Sequence, residues 1–373
     1  MQIDTLRGLF LLIMTFAHLL LWPFRSLESL LPYFYEPFGF FTAAEGFFLL
    51  SGLTAGFGYA SYANNLPLIY AKAKQRTKEL YWANTLPFTA LCSLVFFMPS
   101  FFVQWQQHPW FSSLYANQWT IWALSLPFLS QQGYFDILPV FCIFFAVIPA
   151  IFFLIYKKGL RFLLIFSACL WLFGQWHPLE KLELILKSYE PLIRLGWFDP
   201  FSWQFLFVLG IVFGYCHKLN KNLDYLKKPS IYLLLGAIVF CCSLFFLKHG
   251  IITIEAFDLL SFSDVRTLGI VRLSNFLFFS WLLFLTVQHF PRIFSIKTIA
   301  MLGRHSLSVF MYHCLLCYFL GAFMIDIDAL PIAISTLYLA ASVLSLWLIP
   351  SLRETQRAVG MHLLRRTKLS HLR

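Results

Sequence analysis

Two basic side chains, Arg7 and His18, lie on the first apolar segment at a spacing that places them on one face of an α-helix. Eleven residues at 100° each return to within about 20° of the starting direction, and the helical rise separates the two positions by roughly 16 Å. Asp4 lies on the same stripe one turn earlier. We expect Arg7 at the membrane surface, where it suits a phosphate or Asp4, and His18 deeper, where it suits proton transfer. The alternative is a membrane anchor and a hydrogen-bonded structural histidine.

The second apolar segment combines an acid with small residues. Glu45 precedes the sequence FFLLSG, which contains Ser51 and Gly52, and Gly56 follows. Small residues allow helices to approach closely, so this stretch is either a packing seam or part of a polar site whose outer mouth Glu45 lines. A basic cluster at 72–78 comes next. It suits the phosphates of a nucleotide and is equally well explained by membrane orientation.

Polar groups also lie in the later apolar segments. The sequence LGRHSL places Arg304 and His305 at the start of a predicted helix, where an anion is favoured, although a positively charged cytoplasmic end is the alternative. His313 follows about 12 Å deeper at helical rise. Arg272 lies within another predicted span and needs an acidic partner. The candidate partners are Glu45, Asp136 and Asp264.

Helices in a membrane must position these side chains. The 373 residues are 60% hydrophobic and 12% charged, with a mean hydropathy of +0.73. Because soluble domains carry about 25% charged residues, this composition excludes a soluble fold. The net charge of +11 does not indicate nucleic-acid binding, because the basic residues lie in short loops between apolar segments, where they set the topology.

A membrane-spanning helix needs about 20 apolar residues, and this rule predicts an all-α, polytopic protein with about ten transmembrane helices. The predicted spans are 6–24, 38–62, 80–103, 137–156, 160–176, 201–217, 230–247, 269–290, 306–324 and 329–349. An even number of spans places both termini on one side. Alternate loops on that side hold 21 of the 28 basic residues, which predicts that both termini are cytoplasmic.

The chain 1–373 is predicted to be a single membrane domain with a basic cytoplasmic tail at 351–373. The tryptophan-rich segment 104–136 is expected to lie in or re-enter the outer interface and to roof a cavity. A short interfacial helix is expected within 177–200. The eight cysteines lie in apolar segments and are interpreted as buried small residues. Neither they nor any other cluster predicts a metal site.

The order of these motifs resembles the OpgC family within the type-three membrane acyltransferase superfamily. The similar stretches run from residue 4 to about 320: DTLRGLFLLIMTFAHL, FGFFTAAEGFFLLSG, YFDILPVF, GWFDPFSWQFLFVLGIVFG, SFSDVRTLGIVRLSNF and MLGRHSLSVF. The resemblance implies an enzyme of the bacterial inner membrane that moves an acyl group, succinyl in the named members, from cytoplasmic acyl-CoA to a hydroxyl of a periplasmic glucan. It implies acyl-CoA as a co-substrate, a glycan acceptor, contact with the lipid bilayer and no bound cofactor.

The resemblance also implies roles for the residues above. His18 is expected to be the general base, oriented by Glu45 or Asp136, with an acyl-histidine intermediate as an alternative to direct transfer. Arg7, Arg304 and the basic loop are expected to bind phosphates. The catalytic candidates are His18, Arg7, Glu45 and His313. The substrate-binding candidates are Asp4, Ser51, Asp136, Trp203, Arg272, Arg304 and His305.

Two of these assignments have alternatives. Arg272 is expected to hold the succinyl carboxylate, to stabilise an oxyanion or to form a structural ion pair. Asp136 and Trp203 are expected to contact sugar, or else to belong to an interfacial aromatic belt.

Other classes of function are also compatible with polar residues inside apolar segments. A transporter or flippase of a glycan or small anion would show the same feature, although such proteins usually contain repeated halves with broken helices. A glycosyltransferase would use Asp326 and Asp328 as a metal-binding DxD motif. The sequence contains no convincing internal repeat, and two loop aspartates are usually solvated, so acyl transfer remains the preferred interpretation.

Overall fold

A computed structural model describes residues 1–107, 111–220, 227–252 and 261–355 as a helical protein. In these ranges, extended pairing is limited to one bridge between Ser130 and Arg194, so the predicted all-α class is confirmed. The α-helices are α1 (Gln2–Leu21), α2 (Ala43–Ala60), α3 (Leu66–Phe97), α4 (Ser112–Ala116), α5 (Gln118–Ser125), α6 (Ile137–Ala146), α7 (Ile148–Gly174), α8 (Pro178–Lys187), α9 (Pro200–Lys218), α10 (Ile231–Lys248), α11 (Ile270–His289), α12 (Lys297–Arg304), α13 (Ser306–Gly321), α14 (Met324–Asp328) and α15 (Ile332–Leu344). Short 3-10 helices cover Arg25–Tyr33, Pro99–Gln107, Gly133–Phe135, Ser261–Ser263 and Ser345–Trp347.

Each of the ten predicted spans contains helix, but not every helix is long and apolar enough to cross a membrane alone. Within the described ranges six helices meet that condition, and the pair Gly133–Ala146 and Ile148–Gly174, bent by 41°, raises the number to seven. Inside α7, Gly159 has a φ of 84°, which interrupts the helix between two predicted spans. Ten crossings and cytoplasmic termini therefore remain predictions, and the tail from residue 356 lies outside the described residues.

Helices α2 and α9 pack backbone against backbone through glycines. A Cβ on Gly52 would collide with the carbonyl oxygen of Phe207, and one on Gly210 would collide with that of Leu49. Small residues at such positions allow the close approach that stabilises helix pairs in a membrane. The predicted packing seam on α2 is therefore a contact with α9.

The start of α1 packs against α12 in the same way. A Cβ on Gly8 would collide with the backbone of Ile299, and one on Gly303 would collide with the carbonyl oxygen of Asp4. Because α12 ends at Arg304, this contact brings the basic end of α12 close to Arg7 on α1.

The other end of α1 is covered by the aromatic segment that precedes α6. The ring of Phe111 stacks on Trp22, and Trp105 is fully buried. Gln107 and Tyr134 line a cavity beside α1, in agreement with the prediction that this segment roofs a cavity. The helix expected within 177–200 is α8.

Candidate functional site

His18 and His313, which are far apart in the sequence, form a hydrogen bond inside the helical core. His18 Nδ1 lies 2.8 Å from His313 Nε2, and the two rings lie 5.0 Å apart at 23°. His313 on α13 is fully buried, whereas His18 on α1 is partly exposed to a cavity. The structure thus brings together two of the four predicted catalytic residues.

The protons of this pair can be assigned from its hydrogen bonds. His313 Nδ1 lies 3.0 Å from the carbonyl oxygen of Phe310, which can only accept, so His313 Nδ1 carries the proton. In the neutral pair His313 Nε2 is then an acceptor, and His18 Nδ1 donates to it. This leaves the lone pair of His18 on Nε2, which has no hydrogen-bond partner among the described residues. A histidine in this state can accept a proton.

Tyr134 fixes the ring of His18 from a second direction. The two rings stack with centroids 4.0 Å apart and planes inclined by 18°, and the Tyr134 hydroxyl donates to the carbonyl oxygen of His18 at 3.2 Å. Tyr134 was not among the predicted site residues, although it lies two residues before Asp136 in one of the motifs. The nearby candidate Asp136 was the only feature of the sequence that pointed to this position.

The cavity beside this pair, called here the histidine cavity, has a volume of about 810 Å³. Its charged or titratable lining residues are His18, Arg25, Tyr35, Tyr134, Asp136 and Asp328. Burial, and secondarily the carboxylate of Glu36, raises the pKa of Tyr35 above its ordinary value, so its phenol stays neutral. The cavity thus combines a candidate base with hydroxyl groups and a small number of charges.

A second cavity, called here the basic cavity, has a volume of about 1390 Å³. Its basic lining residues are Arg7, Lys72, Arg76, Arg304, His305 and Arg353. The lining includes one acid, Glu79, and the predicted substrate residue Ser51. This excess of positive charge suits a ligand with several phosphates.

The hydrogen-bond partner of Arg7 in the basic cavity differs from the expected Asp4. Arg7 Nη2 donates to Thr54 Oγ1 at 2.6 Å, whereas Asp4 lies 3.6 Å from the amino terminus and lines neither cavity. Arg304 forms an exposed ion pair with Glu354 at 3.1 Å. The structure therefore places Arg7 and Arg304, the last residue of α12, at the basic cavity, whereas Asp4 lines neither cavity.

The two cavities meet at one layer of residues. Met14, Ile137 and Phe310 line both of them. Met14 lies one helical turn before His18, so the histidine is immediately beyond this layer, on the side of the histidine cavity. The stripe predicted on α1 therefore runs from Arg7 in one cavity to His18 in the other.

Arg272 and Glu45, both predicted site residues, form a buried ion cluster that lines neither cavity. Arg272 is 2% exposed; its Nη1 donates to Glu45 Oε1 at 2.8 Å, its Nη2 pairs with Glu36, and its Nε donates to the carbonyl oxygen of Ser263 at 3.1 Å. Lys248 pairs with Glu36 as well. Neither Arg272 nor Glu45 lines either cavity. Arg272 therefore pairs with Glu45, one of its expected acidic partners, and forms the structural ion pair that was one of its alternatives, whereas Glu45 does not line the cavity of His18.

The residue that orients the His18 ring also differs from the prediction. Glu45 Oε2 accepts from the backbone N–H and hydroxyl of Thr42 and so caps the start of α2. Asp136 lines the histidine cavity, and its Oδ2 accepts from the backbone N–H of Trp197 at 3.2 Å. Neither acid holds the His18 ring, because His313 occupies that position.

Trp203, predicted to contact a sugar, is fully buried. Its indole N–H donates to the carbonyl oxygens of Val265 and Arg266, and its ring packs on Phe48 and Phe198. Trp197 is half exposed and lines the histidine cavity instead. The aromatic residue at the cavity is therefore Trp197, and Trp203 stabilises the core.

The remaining motifs do not form a metal site in the part of the chain that the structure describes. No group of three or more His, Cys, Asp or Glu side chains there is arranged to hold an ion. Asp328 Oδ1 accepts from the backbone N–H of Ser26 at 3.0 Å, and Asp326 Oδ2 accepts from Gln104 at 2.7 Å. These two acids serve as anchors for neighbouring segments.

Together, the apolar helices, the buried histidine pair and the two adjoining cavities define a multi-span membrane protein with a candidate acid–base site. A family profile described as OpgC protein matches residues 1–357, and the chain therefore belongs to the OpgC family. Membership implies a membrane acyltransferase, in agreement with the resemblance identified from the motifs. Neither the curated proteins nor the solved structures give a significant match.

Proposed function

We propose that this protein is an O-acyltransferase of the bacterial inner membrane that moves a succinyl group from cytoplasmic succinyl-CoA to a hydroxyl of a periplasmic glucan. The observation that carries the proposal is the position of His18, next to the layer at which the two cavities meet. A donor in the basic cavity and an acceptor in the histidine cavity would both reach this point.

The donor is assigned to the basic cavity by charge. Coenzyme A carries several phosphate groups, and arginine and lysine are the side chains that bind phosphate best. Among these residues, Arg7 is held by a hydrogen bond to Thr54, on the helix that also carries Ser51. The thioester end of the donor would extend past Met14 and Phe310 toward His18.

The acceptor hydroxyl needs a base, because an alcohol is a weak nucleophile at neutral pH. His18 Nε2 takes the proton from the hydroxyl as its oxygen attacks the thioester carbonyl. The carbon–sulfur bond then breaks, and the imidazolium returns the proton to the departing thiolate. The products are an ester of the glucan and free coenzyme A, and the histidine ends in its starting state.

His313 serves the reaction by holding the reactive form of His18. Its Nδ1–H is bound to the carbonyl oxygen of Phe310, so its Nε2 is an acceptor in the neutral pair. The proton of His18 is thereby kept on Nδ1, and Nε2 stays unprotonated. Since both substrates can approach His18 from separate cavities, we propose direct transfer and not an acyl-histidine intermediate.

The experiment is a transfer assay in membranes that contain the wild-type protein or no protein. Succinyl-CoA or acetyl-CoA labelled in the acyl group is supplied together with glucan, and label in the glucan and free thiol are measured. Label from succinyl-CoA in the glucan supports the proposal. Thiol release without labelled glucan would contradict the acceptor, and no consumption of either thioester would contradict acyl transfer and favour transport.

A further inference from the structure

We propose that Arg25 binds the free carboxylate of the acyl group and so makes the histidine cavity selective for a dicarboxylic acyl donor. This inference rests on the acyltransferase function proposed above and adds to it the residue that recognises the acyl group. Arg25 was not among the predicted site residues. Binding of the succinyl carboxylate was one of three roles expected for Arg272, which the structure places in an ion cluster outside the cavities.

Arg25 shares a cavity with the proposed base, His18. It begins the 3-10 helix Arg25–Tyr33, which follows α1 after a short turn, and it lines the same cavity as His18. Among the described lining residues of that cavity, Arg25 is the one with a permanent positive charge. An acyl chain that carries a carboxylate beyond its thioester therefore meets one cation there.

The backbone on both sides of Arg25 is fixed. Phe24 is fully buried, and its N–H donates to the carbonyl oxygen of Leu19 at 3.0 Å. The N–H of Ser26 donates to Asp328 Oδ1 at 3.0 Å. The side chain of Arg25 is itself exposed, and because its backbone is anchored, no backbone ordering is needed when the guanidinium binds a ligand.

The guanidinium of Arg25 also keeps its capacity to bind an anion. No carboxylate of the described residues forms an ion pair with it. The two acids of the cavity accept hydrogen bonds from backbone N–H groups, Asp136 from Trp197 and Asp328 from Ser26. By contrast, all three nitrogens of Arg272 have partners. A guanidinium has five N–H donors in a planar arrangement that matches both oxygens of a carboxylate.

The end of the acyl chain distinguishes a dicarboxylic donor from an uncharged one. A succinyl thioester ends in a carboxylate, whereas a butyryl thioester has the same number of carbons and ends in a methyl group. A carboxylate that leaves water for a protein cavity is unfavourable unless it finds a partner. The donor series of succinyl and butyryl thioesters therefore isolates the interaction with Arg25 from the reaction at the thioester.

The test compares kcat/KM for succinyl-CoA and butyryl-CoA in the wild type, Arg25→Ala, Arg25→Lys and the control Lys181→Ala. Lys181 is an exposed cation on α8 that does not line the cavity. We expect Arg25→Ala to lower kcat/KM for succinyl-CoA by about 10- to 100-fold and to leave butyryl-CoA within about twofold. Arg25→Lys should restore part of the succinyl activity, and Lys181→Ala should match the wild type.

Equal losses with both donors in Arg25→Ala would overturn the inference, and so would unchanged use of succinyl-CoA. A wild-type enzyme that transfers only uncharged acyl groups would overturn the inference while leaving acyl transfer in place. A wild type that transfers neither group to any glucan would overturn the proposed function itself. Thermal unfolding of each variant separates a loss of folded protein from a loss of selectivity.

Discussion

Two buried polar clusters, the Arg272 cluster and the His18–His313 pair, differ in how completely their hydrogen bonds are satisfied. Arg272 pairs with Glu36 and Glu45 and donates to a backbone carbonyl, so each of its three guanidinium nitrogens has a protein partner. His18 uses Nδ1 within the pair and presents Nε2 without a partner among the described residues. The first cluster lies outside both cavities, and His18 lines one.

The comparison shows why burial and charge alone do not identify a reactive group in a membrane. An ionisable residue in an apolar segment is a reasonable functional candidate, and both clusters meet that description. The saturated cluster joins the loop before α2 to α10 and α11, which is a structural role. The cluster with a remaining lone pair beside a cavity is the one that can take part in a reaction.

The largest effect is expected when the reactive nitrogen is removed. His18→Gln should lower kcat for acyl transfer by about 100- to 10,000-fold, because the general base is lost. The rate is measured per folded protein in purified membranes. The matched control is His289→Gln, at the exposed end of α11, which should retain wild-type activity. Activity of His18→Gln within twofold of the wild type would contradict the assignment of the base.

Removing the cation of the saturated cluster should instead affect stability. Arg272→Met leaves Glu36 and Glu45 buried with one fewer positive charge, and breaking such a pair costs about 3–5 kcal/mol. We expect a lower unfolding temperature and lower abundance, with the ratio of succinyl to butyryl transfer unchanged in the folded fraction. Arg292→Met, an exposed position, is the control. A stable Arg272→Met protein with altered donor preference would assign Arg272 to the site.

A smaller effect is expected for the residue that orients the base. His313→Phe removes the acceptor for His18 Nδ1 and should lower kcat by about 10- to 100-fold, since the ring loses its preferred tautomer. His313→Gln provides an amide oxygen as acceptor and should retain more activity. The pH dependence of kcat should shift in His313→Phe. Equal rates and pH profiles in the two variants would argue against an orienting role.

The smallest effect is expected at Tyr134. Tyr134→Phe loses the hydrogen bond to the His18 carbonyl oxygen and keeps the stacked ring. We expect kcat to fall by about two- to fivefold, which corresponds to at most the free energy of one ordinary hydrogen bond. Tyr134→Leu removes both interactions and should have the larger effect. The two variants are compared by kcat at saturating donor. The reverse order would show that stacking does not hold His18.

Much of the candidate site on α1 could be predicted, because helical periodicity relates Arg7 to His18 without any tertiary information. The same argument cannot relate His18 to His313, whose contact spans 295 residues and depends on how α1 and α13 pack. Thus an acid was expected beside His18, and a second histidine lies there.

The ion cluster was predictable only in part, for a similar reason. A buried arginine requires an acid, and Glu45 was among the three candidates. Glu36 and Lys248 were missed because they come from a loop and a helix end whose positions no local pattern specifies. The fold class follows from composition, whereas helix lengths depend on local breaks such as Gly159.

The most direct test of the account uses sealed proteoliposomes with the purified protein in one orientation. Labelled succinyl-CoA is placed on the side of Arg7 and Arg304, glucan is enclosed on the opposite side, and label in the glucan is measured for the wild type and His18→Gln. Direct transfer assisted by His18 predicts labelled glucan across the membrane with the wild type and at least a 100-fold lower rate with His18→Gln. Transfer only when both substrates share one side, or equal transfer by the two proteins, would contradict it.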